Sequence, residues 1–320
     1  MYKCHIPLKF GRHMQTLYRS NMNVEEQKMI EMVKHLKPMP MPTYDGIKLP
    51  SFLPIRQKGA EKVIKEIMNL QTRETDILIC TLGKSGTHWI YEIIKMLLQN
   101  KTVLDKDQKL QTMLEAIIDL SSIDSLPSPR VLDTHLKFKY LPKKFIEDKG
   151  KIVHMIRNPK SVIVSSYHHA LKDKFTHFEG TFDEFCDSWF IGENIPYGTW
   201  FDYELEMEQA EKDHPGMIHT VQYEQMKKEP EREIKRLSDF LGVTCSEQMV
   251  SAIAKATAFD NMRQNKTDFS KMVTDDGKGF IFRKGQIDDW KNYFTVAQNE
   301  RLDAMFKERM KNSSYEITFE

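Results

Sequence analysis

Short apolar runs alternate with helical patterns over most of this chain. Four runs read as strands: Ile77 to Thr81, Arg130 to Thr134, Ile152 to Arg157 and Met217 to Gln222. Around them, apolar residues at three- and four-residue spacing predict helices over Trp89 to Gln99, Ser161 to Leu171, Phe182 to Phe190, Glu231 to Leu241 and Glu300 to Met310. Strands separated by helices call for parallel pairing and right-handed crossovers. The pattern therefore predicts an α/β fold, a central parallel sheet flanked by helices on both faces in a single domain. No internal repeat interrupts it.

Ahead of the first strand the pattern changes. Val24 to Leu36 reads as a helix, with Ile30, Val33 and Leu36 at three-residue spacing. Pro38-Met39-Pro40-Met41-Pro42 then breaks it and reads as an extended connector. Residues 1–43 are expected to form an N-terminal extension, 44–312 the domain and 313–320 a C-terminal tail. Lys3, Lys9, Arg12 and Arg19 precede the first acidic residue, Glu25. That start has the composition of a mitochondrial presequence, but its amphipathic order is poor and Gly11 interrupts it. An extension on the surface of a cytoplasmic protein is the expectation.

Composition narrows the classes without choosing one. At 320 residues and 40% hydrophobic content the chain can bury a sizeable core. A net charge of +1 gives no general pull toward nucleic acid or acidic membrane, so any anion site must be local. Cys4, Cys80, Cys186 and Cys245 are widely spaced, with neither a disulfide nor a zinc pattern, which fits a reducing compartment. No apolar run is long enough to span a bilayer and no secretory h-region is visible. The sequence holds no compact ligand cluster, so no metal is expected.

The first strand-like run feeds Leu82-Gly83-Lys84-Ser85-Gly86-Thr87-His88-Trp89. A Gly/Ser/Thr-rich turn that opens a helix aims backbone N–H groups and the helix N-terminus at one point, where a phosphate or sulfate can sit. Lys84 adds a positive charge, and Ser85 and Thr87 add hydroxyl donors. Gly83-Lys84-Ser85 fits the end of a nucleoside-triphosphate loop of the G-x-x-x-x-G-K-[ST] type, but the first glycine would fall at Leu78. A phosphorylated ligand is implied, and a kinase is disfavoured.

The order Lys84-Ser85-Gly86-Thr87 followed by Trp89 resembles instead the 5′-phosphosulfate loop of the cytosolic sulfotransferases. Three further blocks resemble that family in the same order. Leu132-Asp133-Thr134-His135-Leu136 resembles the segment bearing the catalytic base. Arg157-Asn158-Pro159-Lys160, with Ser165 eight residues after the arginine, resembles the 3′-phosphate segment. Arg283-Lys284-Gly285, followed by Asp289-Trp290-Lys291-Asn292, resembles a second 3′-phosphate segment. Chemically, an Arg at a strand end offers a bidentate fork, and histidine suits proton removal near neutral pH. The similarity runs from near Tyr44 to about Asn312.

This resemblance implies sulfuryl transfer from 3′-phosphoadenosine 5′-phosphosulfate (PAPS) to a hydroxyl or amine of a small acceptor, leaving adenosine 3′,5′-bisphosphate (PAP). His135 would take the acceptor proton, and Lys84 would neutralise charge on the bridging oxygen. Lys84, Ser85, Gly86, Thr87 and His88 would hold the 5′-phosphate; Arg157, Ser165, Arg283, Lys284 and Gly285 would hold the 3′-phosphate. Trp89, Tyr223, Thr257, Phe259 and Met262 match the adenine contacts. Phe138, Tyr140, His169, Phe175, His177 and Phe178 fall where the family builds its acceptor pocket, and their rings suggest a phenol or steroid-like acceptor. Lys291, Thr295, Val296 and Glu300 match the family's homodimer strip, although Thr295 also suits a helix cap.

Four positions depart from the family pattern. Asp133 stands where many phenol-sulfating members have Lys, removing a cation near the developing negative charge. Gly83 replaces a usual proline and is expected to loosen the loop; Gln225 replaces an aspartate; Asp288 replaces a glycine and adds negative charge near the phosphate-binding turn. A non-catalytic nucleotide-binding relative is the alternative these departures leave open.

Overall fold

A computed structural model of the chain describes residues 31–104, 111–176, 178–266, 270–274 and 279–320. The presequence-like start, the first part of the Val24–Leu36 helix, Cys4 and His177 lie outside the described residues. A small antiparallel hairpin, β1 (Thr43–Tyr44) and β2 (Ile47–Lys48), comes first, followed by helices α1 (Leu53–Lys58) and α2 (Ala60–Met68). The sheet strands are β3 (Ile77–Cys80), β4 (Val131–Thr134), β5 (Lys151–Ile156) and β6 (Ile218–Gln222). Helix α3 (Thr87–Gln99) follows β3, and α4 (Lys143–Glu147) leads into β5. Then come α5 (Pro159–Ala170), α6 (Phe182–Ile191) and α7 (Trp200–Asp213) before β6. The C-terminal part is helical: α8 (Tyr223–Lys228), α9 (Pro230–Leu241), α10 (Glu247–Ala256), α11 (Phe259–Asn265), α12 (Ser270–Val273) and α13 (Val296–Arg309).

The sheet is parallel throughout, in the order β4-β3-β5-β6. Side chains alternate across it with period two. Leu78 and Cys80 of β3 join Leu132, Ile152 and Ile156 in one apolar layer, where α2 and α7 pack. Ile77 and Ile79 join Val131, Val153 and Val221 in the opposite layer, beneath α3, α9 and α10. All four residues of β3 are buried, as expected of a strand covered on both faces. Arg130 directly precedes β4, and its carbonyl still accepts from Ile77 N at 2.9 Å; its side chain pairs with Asp76, Nε donating to Oδ1 at 2.8 Å and Nη2 lying 2.5 Å from Oδ2, all buried. That pair pins the entry of β3 beside the entry of β4.

The C-terminal residues dock on this frame. Tyr315 and Ile317 pack against the first core layer. Gln222 Nε2 donates to the Glu316 carbonyl at 2.7 Å, and Trp290 Nε1 to that of Phe319 at 3.2 Å. Among the described residues, no helix is long and apolar enough to cross a membrane.

Thr295 caps α13. Its Oγ1 accepts from Gln298 N at 3.3 Å, while the Gln298 side chain accepts from Thr295 N at 2.9 Å. Replacing Thr295 by Ala is expected to cost about 1 kcal/mol of stability, measured by urea unfolding. An unchanged midpoint would mean that the cap contributes nothing to α13.

Candidate active site

The ends of the four sheet strands converge on one edge of the sheet. The loop 81–86 follows β3, His135 follows β4, Arg157 follows β5 and Tyr223 follows β6. The chain leaves β3 for β4 on one side and returns to β5 on the other, so the order reverses beside β3. Ligands of open parallel sheets settle in the crevice at such a reversal. Here the loop after β3 and Arg157 line it together, with Arg157 Nη1 donating to the Lys84 carbonyl at 2.9 Å.

The loop is held in a conformation that its residues would not adopt without support. Lys84 has φ 71° and Gly86 φ 115°. Gly86 cannot be anything larger without displacement: a Cβ there would lie 2.7 Å from Met155 Sδ and 2.9 Å from Tyr223 Cδ2. Thr81 and Thr87 hydroxyls bond each other at 2.8 Å across the turn. Among the described residues, the Ser85 hydroxyl is buried and has no hydrogen-bond partner, and the same holds for Arg157 Nε. Buried polar atoms are rarely left unsatisfied in a folded protein, so both point to a ligand carrying oxygen acceptors. Gly83 uses no left-handed conformation, and a Cβ there would meet only His135 Cδ2 at 4.0 Å.

A cavity of about 750 Å³ opens from this loop. Lys84, Gly86, Thr87, His88 and Trp89 line its floor, with Arg157, Ser165 and Tyr223. Thr257, Phe259, Met262, Arg283, Lys284 and Gly285 close one part of it. Ser85 lies behind the lining, fully buried. The Arg157 guanidinium sits 4.2 Å from the centre of the Tyr223 ring, and Trp89 meets Tyr223 edge-on at 5.4 Å. Gly285 lets the Phe259 ring approach its backbone, since a Cβ would come within 2.3 Å of that ring. Burial pushes the Glu224 carboxyl, next to Tyr223, up to about 7, with Arg157 pulling the other way.

Arg283 and Lys284 are oriented by one nearly buried carboxylate. Arg283 Nη2 lies 2.6 Å from Asp289 Oδ2, and Lys284 Nζ lies 2.6 Å from Asp289 Oδ1. Burial works against ionised Asp289, but the hydrogen bonds from Lys284, Arg283 and Asn292 outweigh it and hold its pKa below the usual carboxylate range. Asp288, flagged in the sequence for its charge, is exposed at the start of the turn Asp289–Asn292; the carboxylate on the two cations is Asp289.

His135 also lines the cavity. Its Nδ1 lies 2.7 Å from the Thr81 carbonyl oxygen, which can only accept. The ring proton is therefore on Nδ1, and the proton-accepting lone pair belongs to Nε2. The backbone is held as firmly: His135 N donates to Glu115 Oε1 at 2.8 Å. Glu115 also accepts from the Thr134 hydroxyl at 2.7 Å and from the Tyr197 hydroxyl at 3.1 Å. Burial pushes the Glu115 carboxyl up, against the pull of these donors. Asp133 does not face the cavity: it is fully buried and accepts from Thr112 Oγ1 at 2.9 Å.

Of the acceptor-pocket residues read from the sequence, His169, Phe175 and Phe178 line the cavity. Phe138 and Tyr140 do not, and that expectation is corrected. They lie on the turn Phe138–Tyr140, which carries both rings away: Tyr140 donates to Asp45 Oδ2 at 2.7 Å, and Phe138 packs on His214 at 5.2 Å. Pro38, Met39, Pro40 and Met41 supply lining that the sequence did not suggest. Their segment is tied down by Arg56 Nη1, which donates to the Lys37 carbonyl at 3.0 Å, and by Lys174 Nζ, which donates to that of Lys34 at 2.7 Å. The alternating Met and Pro marked an extended segment, but nothing in them told which surface it would cover. Glu115 and Asp289 carried no legible signal as supports, because Glu115 bonds residues distant in sequence and Asp289 acts through a turn.

A family model, the sulfotransferase domain, matches residues 74–314. Sulfotransferase 1B1 of Mus musculus is 34% identical over 267 residues, which covers 79% of this chain and 88% of the relative. Sulfotransferase 1C2 of Homo sapiens is 32% identical over 268 residues, covering 80% and 90%. The crystal structure of mouse sulfotransferase SULT7A1 complexed with PAP superposes with a TM-score of 0.71 at 30% identity, covering 86% of this chain and 96% of that one. The fold and the strand-end site thus define a transferase of the sulfotransferase class. The chain belongs to the sulfotransferase family, as its motifs suggested, and the kinase alternative is set aside. Enzymes of this family take their sulfuryl group from PAPS. The unsatisfied Ser85 hydroxyl and Arg157 Nε, together with the paired cations on Asp289, suit such a bisphosphorylated donor.

Proposed function

We propose that this enzyme transfers the sulfuryl group of PAPS to a hydroxyl (or amine) of a small aromatic or steroid-like acceptor, with His135 as general base and no metal. The observation that carries the reading is the Nδ1 bond of His135 to the Thr81 carbonyl, which leaves Nε2 as the basic nitrogen of a ring that lines the same cavity as Lys84. Bound PAPS supplies the electrophilic sulfuryl group and a bisphosphate leaving group.

The protein's part is to position and to neutralise charge. Ser85, Gly86, Thr87 and His88 present donors at the start of α3 for the 5′-phosphate, and the positive φ of Lys84 belongs to the same cradle. Arg157, Ser165, Arg283, Lys284 and Gly285 serve the 3′-phosphate. Trp89, Tyr223, Thr257, Phe259 and Met262 supply flat and apolar surface for the adenine. His135 Nε2 takes the acceptor proton, and Lys84 offsets negative charge at the oxygen that leaves. Phe175 and Phe178, with Phe52 meeting Phe175 at 4.8 Å, favour a flat apolar acceptor. Met39 and Met41 add an adaptable wall.

A homodimer through Lys291, Thr295, Val296 and Glu300 and a cytoplasmic location complete the reading. Val296 is 74% exposed, which leaves it available to a second copy. The deciding experiment offers labelled PAPS with a panel of phenols, steroids, alcohols and amines in the presence of EDTA. Labelled product is expected on a phenol or steroid. Transfer only after magnesium is restored would remove the metal-free scheme. Tight PAP binding with no product from any acceptor would favour the non-catalytic relative.

A further inference from the structure

Lys84 is held at its side chain as well as at its backbone. Its Nζ lies 3.2 Å from Nδ1 of His169, a residue of α5 that lines the same cavity and packs edge-on against Phe280 at 4.7 Å. A lysine ammonium has only hydrogens to offer, so Nδ1 accepts and the imidazole proton sits on Nε2. Burial above all, then the charges of Lys84 and His135, push the His169 pKa well below the ordinary histidine value. The ring therefore stays neutral. It is surrounded by protein yet keeps surface on the cavity.

A neutral acceptor and a carboxylate hold a cation differently. Asp289 binds Arg283 and Lys284 as ion pairs, which fixes them and cancels part of their charge. A neutral imidazole orients the Lys84 ammonium without itself cancelling any of its charge; the buried Asp173 carboxylate also feels that charge, which pulls its pKa down against the upward push of burial. Letting go of a neutral ring also costs less than separating a desolvated ion pair. An apolar residue in that place would do neither.

We propose that His169 is a positioning residue for Lys84: in the free enzyme its Nδ1 holds the ammonium over the cavity, and at transfer it yields it to the oxygen that leaves. This rests on the reading of Lys84 given above and assigns His169 a role other than that of a pocket wall. The residue touches the reaction only through the lysine.

The test begins on wild-type protein without donor. Nitrogen NMR of histidine-labelled enzyme, with His169 assigned by the loss of its signal in His169→Gln, is expected to show a neutral ring protonated on Nε2. Kinetics follow. His169→Phe is expected to lower kcat about 10- to 100-fold by removing the acceptor that orients the ammonium. Calorimetry is expected to find its PAP affinity within about twofold of wild type, because the phosphate donors are untouched. His169→Gln, whose amide oxygen can accept from the ammonium, is expected to recover to within about threefold of wild type. A wild-type ring that is charged, or protonated on Nδ1, would overturn the proposal without any variant having to fold. Undiminished kcat in His169→Phe would do the same. If wild type neither binds PAP nor transfers, the reading of the whole site falls and this one with it; if wild type does both, only the role of His169 is at stake.

Discussion

His135→Ala is expected to lower kcat by about 10²- to 10⁴-fold, the range general acid–base catalysis supplies. PAP affinity, measured by calorimetry, is expected to stay within about twofold, because the imidazole Nδ1 is engaged by the Thr81 carbonyl and not by a group assigned to the phosphates. The split between the two readouts is the point of the experiment. The ring is anchored through Nδ1 to the Thr81 carbonyl, at the start of the phosphate loop, while its backbone is anchored through Glu115. If the ring served mainly to brace that loop, its removal would weaken the donor site and turnover together. Equal losses in kcat and PAP affinity would therefore make His135 structural and withdraw the proposed base.

On the proposed reading of the site, the two anion subsites are built on different principles. At the loop after β3 the backbone is preorganised around the Lys84 cation: a left-handed Lys84, a glycine that admits no side chain and a buried serine hydroxyl. At Arg283 and Lys284, charge dominates, and it is fixed in place by Asp289 before any ligand arrives. The first arrangement combines backbone shape with one cation and the second presents two, so a nucleotide with one phosphate is expected to satisfy only one of them. Preorganisation of this kind spares the enzyme the cost of ordering its donors at the moment of reaction.

The parts of this site that follow strand ends were legible in the sequence because local chemistry announced them. A glycine-rich turn after an apolar run, and a cation after the next but one, are visible as strings. Strand boundaries shifted by about a residue at their ends, as at Arg130, which precedes the first registered pair of β4 although its carbonyl accepts from Ile77 N. Helix α7 was missed for a physical reason: its buried face includes Glu204 and Glu208, which break the apolar period. Glu204 is buried against His154 Nε2 at 2.9 Å, a pairing across elements that no periodicity reports. Phe138 and Tyr140 were misplaced because a three-residue turn decides where a side chain points, and sequence spacing does not. Asp133 was legible as a missing cation but not as a buried acceptor for Thr112. The lining by Pro38 to Met41 was hidden because it depends on bonds from Arg56 and Lys174 to distant carbonyls.

Gly86→Ala is expected to destabilise the protein by about 2–4 kcal/mol, combining strain in the left-handed region with overpacking. It is also expected to weaken PAP binding by at least about tenfold, since loop donors displaced from a phosphate lose hydrogen bonds of about 1.5–3 kcal/mol each. The added methyl would meet Met155 on β5 and Tyr223 after β6, so relief requires either a shift in the sheet core or a turn of the ring on which Arg157 rests. Neither is free, because Met155 is fully buried. Gly83→Ala is the matched control in the same loop: its backbone is not left-handed, and its nearest added contact is 4.0 Å away. Urea unfolding and PAP calorimetry on the pair separate the two glycines. Similar behaviour in both variants would show that the loop yields as a whole, and that the cradle is set by bound phosphate rather than by the fold.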